Sequence, residues 1–198
     1  LSVATVSDGH FAALPNGVRL HYARAGEPGQ PLLLFLHGFP EFWYAWHAQL
    51  AHFGDAHFAV APDLRGYNLS DQPQAVESYR AKLLLQDIEQ FIRAVGYERC
   101  VIVAHDWGGA LAWQFAILRP QRVERLLIIN ATHPVPFAEG LARDPAQQTA
   151  SQYMNWLRAP GSEHALAADD FRVAERLMLG MGENPGWFDA DVRARYHA

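Results

Sequence analysis

Residues 103–109 read VAHDWGG, with the apolar run Val101-Ile102-Val103 leading in and a helical-looking stretch, ALAWQFAIL, leading out. A carboxylate at the end of an apolar strand is costly to bury without partners. Asp106 therefore either caps the following helix, a position for which Asp is among the preferred residues, or performs chemistry. Its neighbours favour chemistry. Ala104, Gly108 and Gly109 complete the small-x-nucleophile-x-small-small layout of a nucleophile elbow, with Asp where Ser stands in GxSxG. Small residues let strand and helix approach closely around a strained turn, which lifts the central side chain into a cleft.

The flanking sequence supplies a fold in which such a turn makes sense. HFAAL and VRLHYAR surround Pro15-Asn16-Gly17, a hairpin signal. After the turn-rich GEPGQP comes LLLFLHG, an unbroken apolar run typical of a strand covered on both faces. An aromatic-rich helical stretch, EFWYAWHAQLAHF, leads to a further strand, HFAVAPDL. YRAKLLLQDIEQFIRAVG then places Leu83, Leu84, Ile88, Phe91 and Ile92 on one helical face and stops at Gly96. CVIVAHD and VERLLIINA are strands on either side of the helix WGGALAWQFAILRP, which Pro120 closes. Strands alternating with helices predict an α/β domain with a mostly parallel sheet over residues 1–134. Beyond that point no apolar strand appears. DPAQQTASQYMNWLRA and ADDFRVAERLMLG read as helices, so residues 135–198 are expected to begin a helical cap laid over the sheet.

Composition narrows the function. Half of the 198 residues are hydrophobic and 19% are charged, so a sizeable core is expected. The net charge is −5 and the basic residues are scattered, which argues against nucleic acid as a partner. The longest apolar run, LLLFL, is far too short to span a bilayer, and no membrane partner is expected. Cys100 is the sole cysteine, in an apolar strand. It reads as an inert buried thiol and suits a reducing compartment such as the cytoplasm. No His/Cys/Asp/Glu spacing suggests a metal site and no Gly-rich loop suggests a phosphate, so no cofactor is expected.

In an open parallel sheet, ligands bind beyond the carboxyl ends of the strands. Three strands end in unusual clusters: His37-Gly38-Phe39-Pro40, Pro62-Asp63-Leu64-Arg65-Gly66-Tyr67 and His105-Asp106-Trp107-Gly108-Gly109. On these segments the chain resembles the epoxide hydrolase branch of the α/β hydrolases. HGFPEFWYAW, DLRGYNLSDQP and HDWGGALAW match that family in order and spacing, and the similarity runs through essentially all 198 residues. The resemblance implies an α/β-hydrolase fold with Asp106 as nucleophile and the backbone N–H groups of Phe39 and Trp107 as oxyanion hole. It also implies a cis Phe39-Pro40 bond, a geometry nearly confined to X-Pro. Asn68 departs from the family's usual Gly, but Asn tolerates positive φ better than most residues.

The residue types fit the implied chemistry. A carboxylate suits displacement at an sp³ carbon, giving an alkyl ester of the enzyme. Opening an epoxide also needs a donor that is still protonated at neutral pH, as a phenol with a pKa of about 10 is. YMNWLRAPG resembles the cap segment that carries the first ring-opening tyrosine, which makes Tyr153 that donor; otherwise it is an ordinary packed aromatic. His37 and His105 are expected to make structural hydrogen bonds at the elbow. Trp43 and Phe39 join Trp107 as candidate walls of an apolar substrate pocket, although Trp43 and Trp46 read equally well as core.

The function implied is hydrolysis of small apolar epoxides to diols. A general-base His, its acid partner and a second ring-opening Tyr are expected after residue 198, so the sequence reads as the first two-thirds of an enzyme. The alternatives are a haloalkane dehalogenase and a non-catalytic ligand-binding protein of the same fold. The first commonly has Asn in the place of Phe39. A homodimer is left open.

Overall fold

The computed structural model describes residues 3–179 and 185–197. The chain divides into two compact units, Leu1–Pro134 and Val135–Ala198. The first contains a six-stranded sheet: β1 (Ser7–Ala13), β2 (Arg19–Ala25), β3 (Leu32–Leu36), β4 (Phe58–Pro62), β5 (Cys100–His105) and β6 (Val123–Ile129). Their order is β1-β2-β4-β3-β5-β6. β1 and β2 form the expected antiparallel hairpin, and β2 also runs antiparallel to β4. The block β4-β3-β5-β6 is parallel throughout. The sheet is therefore mixed, with the hairpin added to a parallel core.

Three helices belong to this unit: α1 (His47–Phe53), α2 (Ala81–Ala94) and α3 (Asp106–Leu118). The connection through α1 takes the chain from β3 to one neighbour, β4, and the connection through α2 takes it back across β3 to the other, β5. The order thus reverses around β3, and in open α/β sheets ligands bind where the order reverses. Every residue of β3 is buried, as its uninterrupted apolar sequence predicts for a strand covered on both faces. Its side chains alternate. Leu32, Leu34 and Leu36 join a core with Leu84, Ile88, Phe91 and Ile92 of α2 and Leu111, Ala112 and Phe115 of α3. Leu33 and Phe35 face a second core with Leu50 of α1, Trp43 and Trp46. The aromatic stretch expected to be one helix is a 3-10 turn at Trp43–Trp46 followed by α1.

The apolar stripe of α2 contains an exception that its periodicity does not announce: Asp87 is buried among Leu84, Ile88 and Phe91. Arg65 explains it. Its Nε and Nη2 donate to both Asp87 oxygens at 2.8 and 2.6 Å, its Nη1 donates to Ser78 C=O, and Asn16 Nδ2 donates to Asp87 Oδ1 at 2.7 Å. The ion pair thereby ties the hairpin turn, the exit of β4 and α2 together. Beside it lies an interior void of about 10 Å³, lined by Leu20, Leu34, Ile88 and Phe91 among others, with room for one water at most.

The second unit is helical: α4 (Pro134–Arg143), which begins at the last residue of the first unit, α5 (Pro145–Ala150), α6 (Gln152–Leu157), α7 (Ser162–Leu179) and α8 (Ala190–Tyr196). No strand occurs among its described residues. The run read as one helix from Ala168 is broken. Ala168 is extended and Asp169, Asp170 and Phe171 have φ of 51°, 57° and 60°, a left-handed stretch inside α7. Asp tolerates that region better than most residues. Arg172 Nη2 donates to Asp169 at 2.5 Å, and the Phe171 ring packs edge-on against His197. Among the described residues no helix is long and apolar enough to cross a membrane.

Removing one partner of a buried ion pair leaves the other charge uncompensated. Asp87→Ala is therefore expected to lower the unfolding free energy by about 3–5 kcal/mol, read from the urea midpoint. A loss below about 1 kcal/mol, the value of an exposed pair, would contradict the burial of Arg65.

Candidate active site

The elbow follows from three close approaches. Asp106 begins α3 immediately after β5 with φ of 49°, a left-handed conformation that stores about 1–3 kcal/mol in a non-glycine residue. The strain is held by packing that excludes larger side chains. A Cβ on Gly108 would lie 2.4 Å from His37 C=O, and one on Gly109 would lie 2.5 Å from the Ala131 methyl. Gly108 N–H donates to His37 C=O at 3.1 Å, so the first turn of α3 is bonded directly to the end of β3. Across the turn, a Cβ on Gly38 would lie 2.5 Å from Asp106 Cβ and 2.6 Å from Oδ1. The glycines leave the space in which the carboxylate stands.

That carboxylate is already engaged. Phe39 N–H donates to Asp106 Oδ1 at 2.9 Å, and the Phe39-Pro40 bond is cis. Trp107 follows Asp106 in the first turn of α3, where helix amides have no intrahelical acceptor. Trp107 is 44% exposed. Asp106, Phe39 and Trp107 thus meet at the ends of β3 and β5. Trp43 lies on the segment that follows Phe39, and its backbone N–H donates to Asp63 Oδ1 at 2.8 Å. It is buried in the second core with Phe35 and Trp46, where packing alone accounts for its size. Tyr153 is 47% exposed on α6, in the other unit.

The two histidines beside the elbow have opposite environments. His37 is fully buried; its Nδ1–H donates to Gly38 C=O at 2.8 Å and its Nε2 accepts from Leu64 N–H at 3.0 Å. Burial pushes its pKa below the ordinary value of 6.5. This is the structural role expected of it. His105 donates from Nδ1 to Glu41 Oε2 at 3.3 Å, and that hydrogen bond raises its pKa above 6.5. Glu41, on the loop that carries Phe39, is a partner the sequence reading missed; its proximity to HGFP was the available signal. The same reading missed the pair His21–Asp63, at 2.7 Å, because 42 residues separate the partners. Asn68 has φ of 43°, as expected of an Asn in place of Gly, and its side chain donates to Asp63. Cys100 is buried and its thiol is pushed up to about 12 by desolvation, so it does not act as a nucleophile. No group of three or more His, Cys, Asp or Glu residues that could hold a metal occurs among the described residues.

Comparison with known proteins adds an independent line. Residues 31–172 match the family model of the alpha/beta hydrolase fold. The chain is 44% identical over 163 residues to human epoxide hydrolase 4, a match that covers 82% of this chain and 45% of that protein. It is 40% identical over 182 residues to epoxide hydrolase 1 of Caenorhabditis elegans, covering 89% and 45%. A crystal structure of Bacillus megaterium epoxide hydrolase bound to an inhibitor superposes with a TM-score of 0.89 at 38% identity, over 95% of this chain and 65% of that one. The chain spans about half the length of the curated epoxide hydrolases it matches.

The pKa directions give a prediction. A depressed His37 pKa means that stability is complete above the unfolded-state value near 6.5 and falls as the pH drops below it. A raised His105 pKa means that its contribution is complete below 6.5 and is lost as pH rises through the folded-state value. Ring resonances followed by NMR should show His105 titrating above 6.5 and His37 below it. Glu41→Gln should bring the His105 midpoint down, and the His37 midpoint down with it, because the Glu41 charge raises both while its hydrogen bond reaches only His105.

Proposed function

Because the chain belongs to the α/β-hydrolase family, we propose that it performs the chemistry of an epoxide hydrolase on Asp106. The observation that carries the proposal is the Phe39 N–H bond to Asp106 Oδ1 beside a left-handed elbow. It divides the work between the two oxygens. Oδ1 is held, and Oδ2 attacks an epoxide carbon; the C–O bond of the ring breaks as an alkyl ester of Asp106 forms. Water, giving a proton to a base, then adds to the ester carbon, and the tetrahedral adduct releases the diol and restores the carboxylate. Negative charge develops on Oδ1, where the Phe39 and Trp107 amides stabilise it by about 2.7–4 kcal/mol per donor, the scale seen for oxyanion-hole donors.

The alkoxide released in the first step needs a proton. We assign it to Tyr153, on the resemblance of YMNWLRAPG to the ring-opening segment of epoxide hydrolases. His37 is not assigned as the base for the second step, since both of its ring nitrogens are engaged, with Gly38 and Leu64. The substrates proposed are small apolar epoxides, whose apolar body Phe39 and Trp107 accept. The relatives support this choice over a haloalkane dehalogenase, as does Phe at position 39. The lone buried thiol fits a reducing compartment such as the cytoplasm.

The test is a single-turnover reaction with styrene oxide, followed by peptide mass spectrometry. The expected adduct is an alkyl ester on the peptide containing Asp106, absent in Asp106→Ala; an adduct on any other residue sinks the proposal. Tyr153→Phe should slow alkylation by about 10²- to 10⁴-fold, the range for general acid catalysis. A bromoalkane, whose leaving halide needs no proton, should be insensitive to that substitution. Equal loss with both substrates would return Tyr153 to a packing role.

A further inference from the structure

The segment Gly38–Trp43 carries the Phe39 amide, and Glu41 in its middle is bonded to His105. It contains a turn, in which Glu41 N–H donates to Gly38 C=O at 3.1 Å. Both of its ends are anchored to the exit of β4. At the near end, Leu64 N–H donates to His37 Nε2 at 3.0 Å and His37 Nδ1–H donates to Gly38 C=O at 2.8 Å. At the far end, Trp43 N–H donates to Asp63 Oδ1 at 2.8 Å.

Asp63 is fully buried and is itself held from three directions. His21 Nδ1–H donates to Oδ2 at 2.7 Å, the ring's Nε2 accepting from Gly9 N–H so that its proton is left on Nδ1. Asn68 Nδ2–H donates to the same oxygen at 2.8 Å. Along the main chain, Asp63 N–H donates to His21 C=O and Asp63 C=O accepts from Ser70 Oγ. A buried carboxylate with its acceptor sites filled by fixed donors is a rigid reference point.

We infer that Asp63, fixed by His21 and Asn68, is a positioning residue that sets the oxyanion-hole amide of Phe39 through the Trp43 N–H. The inference rests on the functional reading of Asp106. Asn68 is the informative member. Its left-handed turn would suit a glycine, so the side chain is present for its donor rather than for its backbone.

The two chemical steps respond to this anchoring in opposite senses. Charge on Asp106 Oδ1 falls when the ester forms and rises when water attacks it. A displaced Phe39 amide therefore slows ester breakdown while leaving ester formation unchanged or slightly faster. A simple loss of folded protein lowers both rates in equal proportion.

The experiment uses Asn68→Gly, which keeps the turn and removes the donor, beside Ile88→Val, a core change in α2 of comparable stability loss. The first readout is the Phe39 amide in ¹H–¹⁵N spectra and its hydrogen exchange. The expected result is an upfield shift and exchange faster by about two- to tenfold, the value of one hydrogen bond, in Asn68→Gly and not in Ile88→Val. The second readout is the ratio of ester breakdown to ester formation with styrene oxide in the full-chain enzyme, expected to fall by the same factor in Asn68→Gly alone. An unchanged Phe39 amide in folded Asn68→Gly, or a ratio that moves equally in both variants, overturns the inference. A wild-type protein that takes no adduct on Asp106 fails the functional reading instead, and the Phe39 amide still reports the anchoring by itself.

Discussion

The bond from Gly108 N–H to His37 C=O brings the backbone of α3 against the end of β3, and the site depends on it. With a side chain at 108 or 109 the helix would stand further off, and Asp106 would not reach the Phe39 amide. The same approach forces Asp106 into its left-handed conformation. Such strain persists only where the surroundings over-determine it. Here they do so through a fully buried β3 beneath and through contacts on both sides of the turn.

His37 and His105 show how histidines at the ends of two paired strands are driven to different states. His37 meets main-chain groups in a dry interior, which disfavours its charge. His105 is partly open and faces a carboxylate, which favours it. One therefore acts as a neutral strut between β3 and β4. The other links the elbow to the loop bearing Phe39 by a charge-assisted bond, which is stronger than a neutral one.

What the residues announced in advance was local. The elbow around Asp106, the tolerance of Asn68 for a left-handed turn and the hairpin at Asn16-Gly17 each follow from neighbours in sequence. The alternation of strands and helices gave the architecture, because covering a strand on both faces demands the apolar run at residues 32–36. Asp87 was not legible, since a lone acid in an amphipathic helix normally faces water and its partner Arg65 lies 22 residues away. Asp63 with His21 escaped for the same reason, since 42 residues separate them, whereas Glu41 stood close enough to HGFP to have been found. Trp43 could be read as pocket or core, and only the fold shows that it belongs to the cluster that holds Phe35 and Trp46.

The break in α7 changes what kind of body the second unit is. It divides the longest helix there into segments of six and eight residues, 162–167 and 172–179, and α4, α5, α6 and α8 are no longer than ten. All fall below the about 12–15 residues at which an isolated helix becomes even marginally stable. Among the unit's described residues, Ser151 alone is buried. Each helix therefore borrows its persistence from its neighbours, and the ionic cluster of Asp170, Glu175, Arg193 and His197 joins two of them where apolar burial does not. Salt screens the open members of the cluster, Asp170 and Arg193, more than the largely covered Glu175 and His197. Ionic strength thus becomes a control on the helical unit that leaves the sheet, with its dry core, largely untouched.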